Sequence, residues 1–319
     1  MISYNVIIAI LAAVALFLFS IDNFSKEIQR IAGKRFKEIL LRLTSTPLRG
    51  TLVGAGVTSV IQSSSATTVI TVGLINAGLL SFYNSLGIII GANIGTTITT
   101  QLVAFKLTAF APIFIILGFI IGLMPNHYKL IGKPLFYFGL VFFSLSLVAQ
   151  YVEPISTDPQ IINLFSHIST IYIGVLAGFL FTVVVQSSSI TSGLAVILVG
   201  TSLLNFNQAL GIILGANIGT TSTAMLATIR MNREAKRASM AHLLFNIGGV
   251  LLILPFIHPF ASFVQGLGGS PERQVANAHL IFNLGAAAIA LLLIKPFCML
   301  ISRIYPDGKI DKRLERKKY

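Results

Sequence analysis

Two copies of a short polar sequence, Gln-Ser-Ser-Ser, lie inside long apolar segments of this chain. The copies are Gln62, Ser63, Ser64 and Ser65, and Gln186, Ser187, Ser188 and Ser189. Each copy is followed at the same distance by Gly-Ala-Asn-Ile-Gly-Thr-Thr, at 91–97 and 215–221. The copies are 124 residues apart, and residues 62–100 match residues 186–224 at 22 of 39 positions. We interpret the pair as the two halves of one solute-binding site inside a membrane.

The side chains of these motifs can bind small ions without carrying a formal charge. Serine is a favoured N-cap, so each serine run can begin a helix whose free N–H groups and dipole form an anion site. The second motif predicts a further break in each repeat, permitted by glycine, capped by asparagine and flanked by hydroxyl groups. The residues concerned are Asn93, Thr96 and Thr97 in the first copy and Asn217, Thr220 and Thr221 in the second.

Both motif regions lack charged side chains. No Lys or Arg occurs in 50–105 or 134–229, and no Asp or Glu occurs between Glu38 and Glu153 or between Asp158 and Glu234. An ion bound alone at such a place would have no compensating charge in a medium of low dielectric constant. We therefore predict that small cations and a small oxyanion bind together and screen each other.

The composition places these motifs in a membrane. Of the 319 residues only 10% are charged, against roughly a quarter in soluble domains, and the mean hydropathy is +0.86. The apolar runs are solid rather than alternating, which favours spanning helices over a β-barrel. The net charge of +13 comes from basic blocks at 26–49, 230–237 and 303–318 that flank apolar segments. This is the pattern of cytoplasmic loops, so we expect a lipid bilayer and no nucleic acid as the partner.

The charge pattern also predicts how the repeats are related. Basic residues precede the first motif and follow the second, which indicates repeats of opposite orientation. We predict an all-α polytopic membrane protein with two inverted-topology repeats, re-entrant helical hairpins at both Gln-Ser-Ser-Ser motifs and broken helices. The predicted units are 1–124, 125–300 and a basic tail at 301–319. The N-terminus is predicted outside and the tail inside, with Lys106 outside.

Several helices can be predicted individually. Residues 5–21 predict a first spanning helix, and the spacing of apolar residues in 22–43 predicts an amphipathic helix lying on the membrane surface. Further helices are expected at 109–124, 134–151, 240–257 and 276–297. Stripes of small residues four apart lead to each motif glutamine and predict close helix packing: Gly50, Gly54 and Thr58 in the first repeat, Gly174, Gly178 and Thr182 in the second.

The serines, threonines and histidines of the chain allow other interpretations. Serine and threonine can join packed helices, but two identical copies tied to the same second motif are harder to explain in that way. A serine nucleophile needs a nearby base, and the five histidines, including His127, share no spacing with the motifs, so we expect no enzyme. His242 and His279 belong to a repeated Ala-His-Leu-x-Phe-Asn element that is expected at the start of each of two late helices. For these histidines a structural role is favoured over a proton relay or a ligand role.

With these motifs, the chain resembles the type II sodium/phosphate cotransporter family in its short bacterial form, over nearly all of residues 1–300. The resemblance implies sodium-driven uptake of inorganic phosphate by alternating access across a bacterial plasma membrane, with sodium as the coupling ion and no cofactor. By matching motif, Gln62, Ser63, Ser64, Ser65, Gln186, Ser187, Ser188 and Ser189 would bind phosphate. Sodium would be held by Gln62, Ser65, Asn93, Thr96, Thr97, Gln186, Ser189, Asn217, Thr220 and Thr221.

The chain departs from the family pattern in two ways. The cytoplasmic helical domain of many bacterial relatives is replaced by a short basic tail, so regulation by such a domain in cis is not expected. No acidic residue lies near either motif, which predicts electroneutral transport, such as two sodium ions with one divalent phosphate. Transport of another small oxyanion or carboxylate stays open, as do a non-transporting membrane interaction protein and a homodimer.

Overall fold

The computed structural model describes residues 4–105, 107–125, 128–168 and 170–306, and these residues form helices joined by short loops without any strand. The helices are α1 Tyr4–Arg42, α2 Pro47–Ile61, α3 Ser64–Asn76, α4 Phe82–Ala104, α5 Ala111–Leu123, α6 Tyr128–Val152, α7 Pro159–Ser166, α8 Ile171–Val185, α9 Ser188–Gly200, α10 Phe206–Gly219, α11 Thr221–Thr228, α12 Arg233–Ile253, α13 Ile257–Gly266, α14 Pro271–Leu292 and α15 Ile294–Ile304. Lys106, His127 and the tail from 307 onward lie outside the described residues.

Within the described ranges, six helical segments are long and apolar enough to cross a membrane. They are α1, α4, α6, the pair α10 and α11, the pair α12 and α13, and α14. The expected all-α polytopic membrane protein is therefore confirmed. By contrast, α2, α3, α8 and α9 have 15 residues or fewer, and a span needs about 20.

These short helices form two hairpins that repeat at the sequence offset of the motifs. α2 and α3 have the same bounds as α8 and α9 once 124 residues are added, and α4 matches the pair α10 and α11 in the same way. Within the first hairpin, Thr58 donates to Thr67 across the two arms at 2.9 Å; within the second, the Thr182 and Thr191 hydroxyls are 2.6 Å apart. The repeat seen in the sequence is thus a repeat of structure.

The two hairpins open toward opposite ends of α4. The first hairpin ends at Asn76, close to the start of α4. At the far end of α4, the ring of Phe105 lies 4.5 Å from the Arg273 guanidinium. The neighbouring Glu272 packs against Gly200, the last residue of the second hairpin. Since 23 helical residues cover about 35 Å, the hairpins enter the protein from opposite sides, as expected for inverted repeats.

Two basic blocks lie together at the open end of the first hairpin. The Asn76 side chain accepts a hydrogen bond from the N–H of Asn232 at 2.8 Å, and Asn232 caps the start of α12. α2 follows the basic end of α1 at Arg42 after a short loop. This arrangement places 26–49 and 230–237 on one side of the protein, in agreement with the charge pattern.

The predicted second break in each repeat is wrong. α4 continues through Gly91 and Asn93 to Ala104 without interruption. In the other repeat, the residue between α10 and α11 is Thr220, whose backbone stays helical (φ −62°, ψ −22°), and both helices count as one span. Asn93 and Asn217 therefore do not cap a helix but lie within one.

Close helix packing explains the glycines of this motif. A Cβ on Gly91 would lie 2.0 Å from the carbonyl oxygen of Thr51, and one on Gly215 would lie 1.9 Å from that of Val175. The stripe on the partner helix has the same function, since a Cβ on Gly54 would lie 2.3 Å from the Ile88 carbonyl oxygen. The glycines let α2 approach α4 and α8 approach α10, so the prediction of close packing is confirmed.

The predicted division of the first 43 residues into two helices is also wrong. Tyr4–Arg42 is one continuous helix of 39 residues. The apolar side of its second half packs in part against protein, because Phe36 and Leu40 are buried in the same core cluster as Leu74 and Ile75 of α3, whereas Ile31 and Leu43 stay exposed. The amphipathic spacing therefore reflects, in part, packing against the first hairpin.

Candidate ion-binding site between the two repeats

Each hairpin turns at the glutamine of its motif. Gln62 ends α2 with φ 59° and ψ 27°, and Gln186 ends α8 with φ 61° and ψ 21°. The left-handed conformation is costly for a residue with a side chain, and among the described non-glycine residues only Ser202 shares a positive φ. Backbone strain of this kind clusters at functional sites, and here both repeats carry it at the same position.

The serine run begins the second arm of each hairpin, as predicted. Ser63 is the N-cap of α3, and its Oγ accepts a hydrogen bond from the Ala66 N–H at 3.1 Å. Ser187 caps α9 with the same extended backbone, although its side chain makes no capping bond. The breaks thus place a helix C-terminus with free carbonyls next to a helix N-terminus with free N–H groups.

A threonine of the first repeat joins the two motifs. Thr99, on α4, donates a hydrogen bond to Gln62 Oε1 at 2.7 Å, and its hydroxyl also lies 3.4 Å from Ser189 Oγ. Ser189 belongs to the second hairpin, so this contact crosses between repeats. The Gln62 amide is further held by a bond from its Nε2 to the Ser59 carbonyl.

The second repeat makes the corresponding contacts. Thr223 donates to Gln186 Oε1 at 2.9 Å, and Gln186 Nε2 donates to Ser222 Oγ at 3.0 Å. Ser65 of the first hairpin reaches across to this group, with its Oγ 3.4 Å from Thr223 Oγ1 and 3.5 Å from both Thr220 Oγ1 and the Gln186 carbonyl oxygen. The two Gln-Ser-Ser-Ser motifs therefore meet at one junction. Thr99 of the first repeat contacts the second hairpin there, and Ser65 of the first hairpin contacts Thr223 of the second repeat.

The Asn93 amide of α4 is held by α12. Its Nδ2 donates to Asn246 Oδ1 at 2.7 Å, and its Oδ1 lies 3.3 Å from His242 Nε2. All three side chains are buried, and Asn246 Nδ2 also donates to the His242 carbonyl oxygen at 3.0 Å. His242 lies in the middle of α12 rather than at its start, so its predicted place in the helix is wrong.

Asn217 of the second repeat has the matching set of partners on α14. Asn217 Nδ2 lies 3.4 Å from Asn283 Oδ1, and His279 Nε2 lies 3.4 Å from Asn217 Oδ1. The other ring nitrogen, His279 Nδ1, lies 2.7 Å from Thr100 Oγ1. Ala224 occupies the position of the second repeat that corresponds to Thr100, and the buried Nδ1 of His242 has no hydrogen-bond partner among the described residues. Both histidines thus position motif asparagines, and no described histidine is bonded to a motif serine.

The remaining predicted threonines bond to their own helices. The hydroxyls of Thr96, Thr97 and Thr221 donate to backbone carbonyls three or four residues earlier, at 2.7–3.0 Å. Each hydroxyl oxygen keeps lone pairs that could bind a cation. The hydroxyls of three motif serines make no hydrogen bond to any described residue; these serines are Ser64, Ser187 and Ser188.

A family model described as Na+/Pi-cotransporter matches residues 16–150 and 160–296. These ranges include both hairpins and the residues of α12 and α14 that contact Asn93 and Asn217. The chain belongs to the Na+/Pi-cotransporter family. The two matched segments correspond to the two repeats, so this comparison confirms the resemblance predicted from the motifs.

Individual relatives of this Na+/Pi-cotransporter family member differ in length. The chain is 31% identical over 274 residues to an uncharacterized protein, YqeW, of Bacillus subtilis (strain 168), covering 85% of this chain and 89% of the relative. It is 30% identical over 255 residues to a candidate inorganic phosphate export protein, YjbB, of Escherichia coli (strain K12), covering 79% of this chain and 47% of the relative. It is 37% identical over 103 residues to sodium-dependent phosphate transport protein 2B of Homo sapiens, covering 30% of this chain and 15% of that protein. The chain thus spans about half of the bacterial export protein. No solved structure is significantly similar to it.

The site of this family member can bind ions only through neutral groups. Its hydrogen bonds are made by amides, hydroxyls and backbone, together with the His242 and His279 imidazoles that contact Asn93 and Asn217. No cluster of three or more His, Cys, Asp or Glu side chains occurs in the described ranges. Amide, hydroxyl and carbonyl oxygens are suitable ligands for sodium, and helix N-termini are suitable for an anion. The arrangement can therefore hold both kinds of ion.

The sequence-based prediction missed three residues of the junction: Thr99, Ser222 and Thr223. Thr99 and Thr223 are one of the 22 matched pairs between the repeats, and that identity was the available signal. The two threonines follow the Gly-Ala-Asn-Ile-Gly-Thr-Thr motif instead of belonging to it, so the motif alone does not indicate them.

Proposed function

We propose that this chain moves inorganic phosphate and sodium together across a bacterial plasma membrane. The observation that carries the proposal is the junction in which Thr99 and Thr223 bond to the motif glutamines while Ser65 and Ser189 reach into the opposite repeat. The family assignment supports phosphate as the anion, and the name of the human relative, a sodium-dependent phosphate transport protein, supports sodium as the coupling ion.

Within this proposal the two hairpins supply complementary parts of one site. The motif serines and the helix N-termini of α3 and α9 bind phosphate. Sodium is bound by the oxygens of Gln62, Ser65 and Asn93 with Thr96 and Thr97, and by the equivalent residues of the second repeat. Because the site has no charged side chain, the two ions neutralise each other. We infer an electroneutral stoichiometry of two sodium ions for one divalent phosphate.

Alternating access follows from the opposed hairpins. Hairpins that open toward opposite ends of α4 can expose a shared site first to one side of the membrane and then to the other when the repeats move. The basic blocks near Arg42 and Asn232 support a cytoplasmic location for the end of the protein at which the first hairpin opens. The proposed orientation has the N-terminus outside and the C-terminus inside.

Flux into proteoliposomes tests the proposal. Radiolabelled phosphate should accumulate under an inward sodium gradient and not under a choline gradient of the same size. Gln62→Ala and Gln186→Ala should each reduce this flux to the level of empty liposomes. Gln265→Ala is the matched control, because Gln265 is an exposed glutamine on α13 away from the junction, and it should retain full flux. Equal phosphate accumulation in choline would refute sodium coupling, and retained flux in both site variants would refute the assignment of the site.

The same vesicles test the inferred stoichiometry. Electroneutral transport should continue at the same rate when the membrane potential is clamped at zero or made inside-negative with potassium and valinomycin. A rate that rises several-fold with an inside-negative potential would contradict two sodium ions per divalent phosphate.

Export is a second candidate direction, favoured by the relative named as a candidate inorganic phosphate export protein, which matches over 79% of this chain. Vesicles loaded with labelled phosphate in choline, without any sodium, measure sodium-independent efflux directly. Sodium-independent efflux faster than sodium-driven uptake would favour export. Flux of sulfate or a small carboxylate in place of phosphate would favour another anion, and no flux of any of these would favour a membrane interaction protein.

A further inference from the structure

Two buried hydroxyl groups lack a hydrogen-bond partner at equivalent positions of the repeats. Thr68 Oγ1 and Ser192 Oγ have no partner among the described residues, and both residues are 1% exposed. They are 124 residues apart, which is the offset of the two hairpins. Besides these two, only one buried side-chain nitrogen or oxygen in the described ranges is unpaired, on His242. The agreement between repeats argues against an accident of packing.

Neighbouring hydroxyls on the same helices behave differently. Thr67 and Thr71 donate to the carbonyls of Ser63 and Thr67 at 3.2 and 2.7 Å, and Thr191 donates to that of Ser187 at 3.3 Å. Serine and threonine within a helix commonly bond back in this way. Thr68 and Ser192 are placed so that they do not, and a buried hydroxyl without a partner destabilises the protein.

The unpaired hydroxyls share a helix face with the motif serines. Residues three and four apart lie side by side on a helix, so Thr68 lies next to Ser64 and Ser65 on α3. Ser65 is the residue that reaches the opposite repeat, and Ser64 is a largely buried residue whose hydroxyl, unlike that of Thr68, is not fully enclosed. Ser192 has the same relation to Ser188 and Ser189 on α9. Each hairpin therefore carries a hydroxyl stripe that continues the motif by one turn.

We propose that Thr68 and Ser192 donate hydrogen bonds to the phosphate bound between the hairpins. This inference rests on the proposed function, and it extends the anion site by one hydroxyl from each repeat. An oxyanion fits better than sodium because the costly part of an unpaired hydroxyl is its hydrogen. A phosphate oxygen accepts that hydrogen, whereas a cation contacts only the oxygen and leaves the hydrogen without an acceptor.

The test compares two isosteric substitutions on α3. Thr68→Val removes an unpaired hydroxyl, and Thr71→Val removes an equally buried hydroxyl that is bonded to its own helix. Thr68→Val should raise the KM for phosphate on the order of tenfold, since a hydrogen bond to a charged group is lost. It should leave the unfolding temperature of the phosphate-free protein unchanged or higher, because no bond is lost there. Thr71→Val should leave the KM unchanged, and Thr68→Ser should restore it.

Separate outcomes overturn the inference and the proposed function. Sodium-coupled phosphate flux in the wild type and Thr71→Val, together with an unchanged KM in both Thr68→Val and Ser192→Ala, would overturn the inference alone. A raised half-saturating sodium concentration at saturating phosphate, with an unchanged phosphate KM, would make these hydroxyls cation ligands and also overturn it. A lower unfolding temperature for phosphate-free Thr68→Val would show a structural role instead. No phosphate flux in the wild type would refute the proposed function itself.

Discussion

Gly215 should not tolerate even a methyl group. A Cβ at this position would lie 1.9 Å from the Val175 carbonyl oxygen and 2.7 Å from the Phe179 nitrogen, whereas Cβ atoms essentially never come within 3.0 Å of such atoms. Helices α8 and α10 would therefore have to separate by about 1 Å. Overpacking costs about 1–3 kcal/mol, and the higher helix propensity of alanine offsets at most about 1 kcal/mol of this. Because both clashing atoms belong to the backbone and cannot rotate away, the cost should lie near the upper end of this range, and Gly215→Ala should destabilise the protein by roughly 2 kcal/mol.

The sign of this effect distinguishes close packing from a break in the helix. Gly248 on α12 is the matched control, because a Cβ there would meet nothing within 4 Å. Gly248→Ala should be neutral or stabilise the protein by up to about 1 kcal/mol. Unfolding midpoints of the purified variants measure both effects, and phosphate flux should fall only in Gly215→Ala. A Gly215→Ala protein that is as stable as the wild type would refute the packing argument.

Three further predictions concern hydrogen bonding and protonation outside the junction. Thr100→Val should destabilise the protein by about 1–3 kcal/mol, because His279 Nδ1 loses its partner. Thr100→Ser should be close to wild type in stability. An unchanged unfolding midpoint in Thr100→Val would show that the contact between Thr100 and His279 contributes nothing. Arg237 is 5% exposed and donates to the Tyr305 carbonyl, so Arg237→Ala should lower the free energy of unfolding by about 2 kcal/mol. Arg230 is exposed, so Arg230→Ala should have no measurable effect. Equal unfolding midpoints for the two variants would contradict this prediction. Burial raises the pKa of the Cys298 thiol on α15, outside the candidate spans. Its thiolate fraction is therefore reduced at neutral pH, so maleimide labelling should be slow there and should keep accelerating above about pH 8.5, the usual thiol pKa. A labelling rate that stops rising below that pH would contradict a raised pKa of the Cys298 thiol.

The parts of the fold that depend on local chemistry could be predicted from the sequence. The serine N-caps, the turn at each glutamine and the small-residue faces follow from properties of single residues and their spacing. The inverted relation of the repeats followed from the distribution of charge, because the membrane sorts basic loops to one side. These predictions needed no knowledge of which helices pack together.

The errors concern long-range packing. Glycine favours both a break and a close approach, and only the position of α2 against α4 decides that Gly91 serves the second purpose. An amphipathic helix can face lipid or protein, and the buried Phe36 and Leu40 show that α1 packs in part against protein. Thr99 and Thr223 belong to the junction because α4 and α11 pack beside the hairpin turns, where each threonine bonds to the glutamine of its own repeat. Local sequence patterns do not encode this packing.

If one uncharged site holds both ions and each compensates the charge of the other, the phosphate affinity of the protein must depend on sodium and its sodium affinity on phosphate. The measurement is the phosphate Kd of the purified protein at several sodium concentrations, with choline replacing sodium at constant ionic strength, together with the sodium Kd at several phosphate concentrations. We predict that saturating sodium strengthens phosphate binding by the same factor by which saturating phosphate raises the overall binding constant for the two sodium ions, as thermodynamic linkage requires. Phosphate binding in choline should be at least tenfold weaker, which corresponds to a coupling free energy of about 1.4 kcal/mol. A phosphate Kd that is the same in choline and in sodium would contradict the account.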